Sequence, residues 1–325
     1  MQEIFARFRH PSWSLGIRLI LCATLIVGSL AVGGTFVGWG ALGVFAVLIV
    51  PVRRAKAFLL AFVPYVLIWA TFAAIRSLAG RTIIAKTLNT KVSSVERGVF
   101  GGQLPTVTLQ DHFFNPLHLR WWDYGFTAVH WSYFLVPHIV AVRTWQKHPE
   151  FFKRYLIALG LTLSTGVAIY FLIPSNPPWM APEIVESPSS PVVYRVMATV
   201  GEQIGGGIYR ASYKVIGESN PIAAMPSLHM AGSFIIVFPA IYAGKKWAIP
   251  AFIYAGIMGL ALMYLGEHYF IDIVMGVVVT MYAWIISGLW FNNVAPRARR
   301  AMRPKRAPIL AVAPSPTTPT PASTG

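Results

Sequence analysis

Two histidines in this chain sit where apolar segments begin or end. His229 lies in NPIAAMPSLHMAG, residues 220–232, and His268 in YLGEHYFIDIVMG, residues 264–276. Asp272 follows His268 by four residues, a spacing that sets both on one face of a helix. A carboxylate inside an apolar segment is costly unless it has a partner and a purpose, and His268 is the economical partner. A carboxylate accepting the N–H of one ring nitrogen fixes the tautomer and leaves the other nitrogen's lone pair facing outward. An imidazole held in this way is a competent nucleophile toward phosphorus. In AMPSLHMAG, Pro226 is expected in a first helical turn, with the Ser227 N–H free of intrahelical acceptors. Free N–H groups at a helix start suit a phosphate oxygen, and His229 in that turn is placed to protonate a departing alkoxide. The expected set is a nucleophile, His268, its orienter, Asp272, a general acid, His229, and an anion cradle at Ser227.

The elements that must position this set are membrane spans. Hydrophobic residues make up 55% of the 325 and charged residues only 12%, too few for a soluble surface. Spanning the hydrocarbon layer takes about 20 apolar residues, and the candidates are 17–34, 36–52, 57–75, 124–143, 155–174, 227–244, 247–265 and 269–291. The fold class expected is an all-α polytopic transmembrane bundle. Residues 1–56 read as an N-terminal hairpin with basic ends, 57–292 as the catalytic membrane domain, and 293–325 as a tail. The first apolar run, preceded by Arg7, Arg9 and Arg18 and followed by further spans, reads as an anchor rather than a cleaved leader. Cys22, the single cysteine, excludes an intrachain disulfide.

Charge orients the bundle. The formal net charge is +16, and short cytoplasmic loops are enriched in Lys and Arg. Arg53, Arg54 and Lys56, then Arg143, Lys147, Lys153 and Arg154, then Lys245 and Lys246 fall on one side, together with both termini. The cluster RARRAMRPKR, 297–306, joins them; beside a span it marks the cytoplasmic face and attracts anionic lipid rather than nucleic acid. The Pro/Thr-rich stretch after it is expected to be disordered. The long connections 76–123 and 175–226 then lie on the outer face, and His229 and His268 share that depth. Trp and Tyr beside charges in HFFNPLHLRWWDYGF place 100–122 partly in the headgroup boundary.

Phosphoryl transfer spreads charge over non-bridging oxygens, so a cation must meet them. The outer-face candidates for substrate binding are Arg76, Arg210 and Lys214, each of which serves equally well as a headgroup snorkel. Asp111, Asp123 and Glu267 read as solvated interfacial carboxylates. A metal site needs three or more converging ligands. His130 and His138 lie eight apart on one span that directs His138 toward the cytoplasm, so no metal is expected.

PSLH followed downstream by GEHYFID resembles the type 2 phosphatidic acid phosphatase superfamily, and within it the inositol phosphorylceramide synthase-like branch. NPIAAMPSLHMA, IPSNPPWMAP and VHWSYFLVP extend the likeness over residues 65–290. The resemblance implies a six-helix core preceded here by two spans, no metal or other cofactor, His268 as the nucleophile forming a phosphohistidine, His229 as proton donor and Asp272 as orienting carboxylate. It also implies an integral protein of a bacterial plasma membrane, acting on a phospholipid or polyprenyl-phosphate-type lipid. Arg76 resembles an arginine that bacterial relatives carry there. The chain departs from the commonest pattern at Leu228, which stands where Pro-Ser-Gly-His has glycine. Ala261 and Leu262 stand where a Ser-Arg pair is usual, and no Lys-x6-Arg-Pro element is present. Those departures favour lipid phosphotransfer, with inositol phosphate as one candidate group, and leave hydrolysis and transfer both open. The competing class is a non-catalytic transporter or scaffold that keeps a phospholipid-binding pocket.

Overall fold

The computed structural model describes residues 12–32, 55–80, 82, 92–181, 192–216 and 223–294. The helices are α1 (Ser12–Val32), α2 (Ala55–Ala79), α3 (Val92–Val99), α4 (Pro105–Phe113), α5 (Trp121–Ser132), α6 (Val136–Lys147), α7 (Pro149–Leu172), α8 (Val196–Ile216), α9 (Leu228–Phe234), α10 (Val237–Ala243), α11 (Lys245–Tyr264) and α12 (Phe270–Leu289). Every regular element among the described residues is helical, as expected of an all-α bundle. Residues 1–288 form one compact unit; of 289–325 the described part is Leu289 and the π-helical turn Trp290–Val294. The expected span 36–52 and the basic and Pro/Thr-rich tail lie outside the described residues.

Helices α2, α7, α11 and α12 are each long and apolar enough to cross a membrane. The expected span 124–143 is instead two helices, α5 and α6, bent by 45°. Pro137 explains part of this, since proline lacks the N–H of a helix interior and suits a first turn, and here it opens α6. The expected span 227–244 is likewise two seven-residue helices, α9 and α10. Leu59, Leu60, Val63 and Leu67 of α2 are exposed, which only a lipid surround makes favourable.

The bundle core is aromatic where α2 meets α6 and α7: the Phe62 ring lies 5.1 Å from Phe152 and 5.9 Å from Trp145. Helix α11 packs on α4, α5, α9 and α10, and its final turn is held from two sides. The Tyr264 hydroxyl donates to the Asp123 carboxylate, whose other oxygen caps α5 by accepting the Arg120 N–H at 2.7 Å. Gln110 of α4 donates its side-chain amide to the carbonyls of Tyr264 and Tyr194, both at 2.8 Å. Asp123 is therefore fully buried structural glue rather than a solvated carboxylate, whereas Asp111 is exposed.

Helices α9 and α12 approach each other at Gly276. A Cβ there would strike the backbone carbonyl of Ser227, so only glycine admits the crossing. Gly276→Ala is expected to lower stability by about 1–3 kcal/mol, the cost of overpacking a closed site. Gly256 of α11 has nothing within 4 Å of an added Cβ, so Gly256→Ala should be neutral or stabilising. Thermal unfolding of both variants in detergent separates them, and equal midpoints would contradict the packing described.

Candidate active site

His268 is placed by the end of α11. That helix closes with Gly266 at φ +79°, a left-handed conformation natural to glycine. The Gly266 N–H donates to Met263 O at 3.1 Å and the Glu267 N–H to Leu262 O at 3.0 Å, the two bonds of a Schellman cap. A Cβ at 266 would also stand 2.6 Å from the Tyr194 carbonyl oxygen. The cap reverses the chain, so His268 faces back into the bundle, 5% exposed, before α12 begins.

Two carboxylates receive the free N–H groups at the start of α12, where the helix dipole favours negative charge. Asp272 Oδ2 accepts from Tyr269 at 2.9 Å, and Glu96 Oε2, reaching over from α3, accepts from Ile271 at 3.1 Å. Asp272 Oδ2 also lies 3.4 Å from His268 Nδ1, and both residues are buried. Asp272 thus faces the imidazole at ion-pair distance, without the expected N–H···O hydrogen bond.

The segment entering α9 is tied down at three points. Ser175, in the IPSNPPWMAP loop, accepts the Ala224 N–H on its carbonyl at 3.1 Å and the Met225 N–H on its hydroxyl at 3.0 Å. The Tyr170 hydroxyl donates to Pro226 O at 3.0 Å. Ser227 then caps α9, its hydroxyl accepting the Met230 N–H at 3.2 Å. Pro226 thus precedes the cap rather than opening the helix. The Ser227 N–H, expected to be free, donates instead to the backbone carbonyl of Asp272 at 2.9 Å. Those two corrections share one cause, the close crossing of α9 and α12 at Gly276. Leu228, in the place of a motif glycine, fits because α7 carries Gly166, where a Cβ would stand 2.5 Å from Leu228 Cδ2.

The crossing brings the two histidines together. His229 Nδ1 lies 3.2 Å from His268 Nε2. With Asp272 facing Nδ1, the natural assignment puts the His268 proton on Nδ1 and leaves the Nε2 lone pair to accept from His229. Asp272, His268 and His229 form one line of contact.

Other residues surround this line, of which Tyr133 and Arg195 were not singled out in the sequence. Tyr133 meets the His229 ring edge-on at a centroid distance of 4.8 Å, admitted by Gly232, where a Cβ would lie 2.6 Å from Tyr133 Cε2. His130, one turn earlier on α5, lies 4.8 Å from the same ring. Arg195 of α8 donates through Nε to Glu267 Oε1 at 2.7 Å and covers the Trp179 ring at 4.4 Å. Glu267 is therefore an ion-pair partner rather than a solvated carboxylate. Arg76 stands in the last turn of α2. Arg210 and Lys214 follow the break at Gly205 in α8, and their side chains lie outside the described residues. His138 is engaged elsewhere, 2.5 Å from the Tyr65 hydroxyl.

The site thus brings together a buried carboxylate, two imidazoles in contact and the ion pair of Arg195 and Glu267. The family model of the PAP2 superfamily matches residues 116–286, more than half the chain, and the protein belongs to that superfamily. It is also 28% identical over 145 residues to a phosphoinositol dihydroceramide synthase from Bacteroides thetaiotaomicron. That match covers 43% of this chain and 47% of the relative, so the likeness spans about half of the relative's length. No solved structure matches the chain.

Glu96 gives the site a measurable pH signature. Burial pushes its carboxyl up from 4.5 to about 7; the Ile271 N–H opposes the rise and the Asp272 charge adds to it. Between about pH 4.5 and 7 the folded protein therefore holds a proton that the unfolded chain has released. Stability should fall as pH rises through that window and level off above it. Glu96→Gln keeps an acceptor for Ile271 and should flatten the slope, read as thermal midpoint against pH in detergent. Parallel profiles for variant and wild type would assign the slope to other groups.

Proposed function

We propose that the protein transfers or hydrolyses a lipid phosphate ester through a phosphohistidine on His268, at the extracytoplasmic face. The single observation that carries this reading is the 3.2 Å approach of His229 Nδ1 to His268 Nε2, with Asp272 behind the second ring. His268 Nε2 attacks phosphorus, the P–O ester bond breaks, and the leaving oxygen takes a proton from His229. The contact between the rings opens as phosphorus enters. Water or an alcohol then attacks, the N–P bond breaks, and the proton of the attacking group passes to His229. Asp272 holds His268 in the reactive tautomer and stabilises its positive charge. Arg76 offsets charge on the non-bridging oxygens. Ser227 serves the site by capping α9, leaving its own N–H to the Asp272 carbonyl.

The name of the Bacteroides relative supports one particular form of this reaction, passage of inositol phosphate to a lipid hydroxyl. The outer-face placement rests on the basic loops, which gather at the ends of the spans away from His229 and His268.

The test is chemical trapping. Purified protein is incubated with labelled phosphatidylinositol or phosphatidic acid, and acid-labile, base-stable label is sought on His268. His268→Ala should lose the adduct and all turnover, and His229→Ala should slow turnover by about 10²–10⁴-fold. Wild-type turnover in either variant would remove this mechanism. Donor binding by wild type without any turnover would select the scaffold reading instead.

A further inference from the structure

The turn that ends α5 builds a wall around the His229 ring. Tyr133 meets it at 4.8 Å and Phe134 at 6.5 Å, both edge-on, and His130 at 4.8 Å with planes tilted by 51°. His130 is the polar member of this wall. It is 3% exposed, and neither ring nitrogen has a hydrogen-bond partner among the described residues. A buried imidazole normally finds at least one partner, because its N–H and its lone pair are both costly to leave unmet. The ion pair of Arg195 and Glu267 lies within electrostatic range, yet neither member bonds the ring.

We propose that His130 binds the alcohol moiety of the substrate, and that it sets the preference for an alcohol over water as phosphoryl acceptor. The inference rests on the reaction assigned above and deepens it. In that reaction His229 gives a proton to the departing alkoxide and later takes one from the incoming hydroxyl. Both oxygens therefore pass through the same place beside the His229 ring. A neutral imidazole offers one donor and one acceptor, which matches a hydroxyl-bearing alcohol, such as a polyol headgroup, that can accept one bond and donate another. Water fits the same space but gains no such placement, since it needs none to reach phosphorus. The acceptor class assigned to this subsite is a primary or secondary alcohol with a neighbouring hydroxyl.

The experiment reads partition, which does not depend on the fraction of protein folded. Full-length protein in detergent is given dioctanoyl phosphatidic acid with a fixed excess of glycerol, and the ratio of glycerol phosphate to inorganic phosphate is measured. His130→Phe keeps the wall but removes both polar atoms. It should lower the ratio about tenfold, equivalent to ~1.4 kcal/mol, because glycerol phosphate falls more than inorganic phosphate. His130→Gln, which restores a donor and an acceptor, should recover the ratio to within threefold. A ratio unchanged in His130→Phe, or left low in His130→Gln, would overturn the assignment and reduce His130 to packing. Absence of any product from wild type would instead be a failure of the phosphohistidine reaction itself, and the proposal would fall with it.

Discussion

One backbone hydrogen bond joins the two halves of the candidate site. The Ser227 N–H donates to the Asp272 carbonyl at 2.9 Å, so the element bearing His229 and the element bearing His268 and Asp272 share a fixed register. Side chains on long membrane helices can lean or turn; two backbones in contact cannot slide without breaking that bond. The bond exists because residue 276 is glycine and because Ser227 satisfies its own helix with its hydroxyl, leaving the amide for the neighbour. The 3.2 Å contact between the imidazoles follows from this crossing.

Around the crossing, several polar groups that a bilayer cannot solvate are matched to one another, His130 being an exception. Asp272 and Glu96 receive amides at the start of α12, Gln110 and Asp123 hold the end of α11, and Arg195 is matched to Glu267. In a low-dielectric surround such pairs add rigidity more than net stability. Rigidity is what a centre needs if His268 is to present one tautomer, and only one nitrogen, to phosphorus.

Much of this was legible in the sequence. The spacing of His268 and Asp272 foretold their closeness, although His268 precedes α12 rather than lying on it. The apolar segments located α2, α7, α11 and α12 but not the breaks in 124–143 and 227–244. Basic loops placed His229 and His268 at one depth, and the two rings do meet. What could not be read was tertiary. The Ser227 amide looks free when a helix start is considered alone, and is spent only because another helix arrives. Glu267 and Asp123 look like surface carboxylates because their partners, Arg195 and Tyr264, lie 72 and 141 residues away. His130 carried no local signal beyond its presence in VHWSYFLVP. Its neighbours are set by the bend between α5 and α6, which periodicity does not show.

Leu228 and Gly166 occupy one volume between α9 and α7. Bulk on either side excludes bulk on the other, so the pair forms a single exchangeable unit. A chain sharing this packing with glycine beside the motif histidine has room for a larger residue on α7. One with leucine there is bound to keep α7 bare at that level. Paired substitution at these two positions is therefore expected to accompany the two forms of the motif, without reference to any catalytic residue.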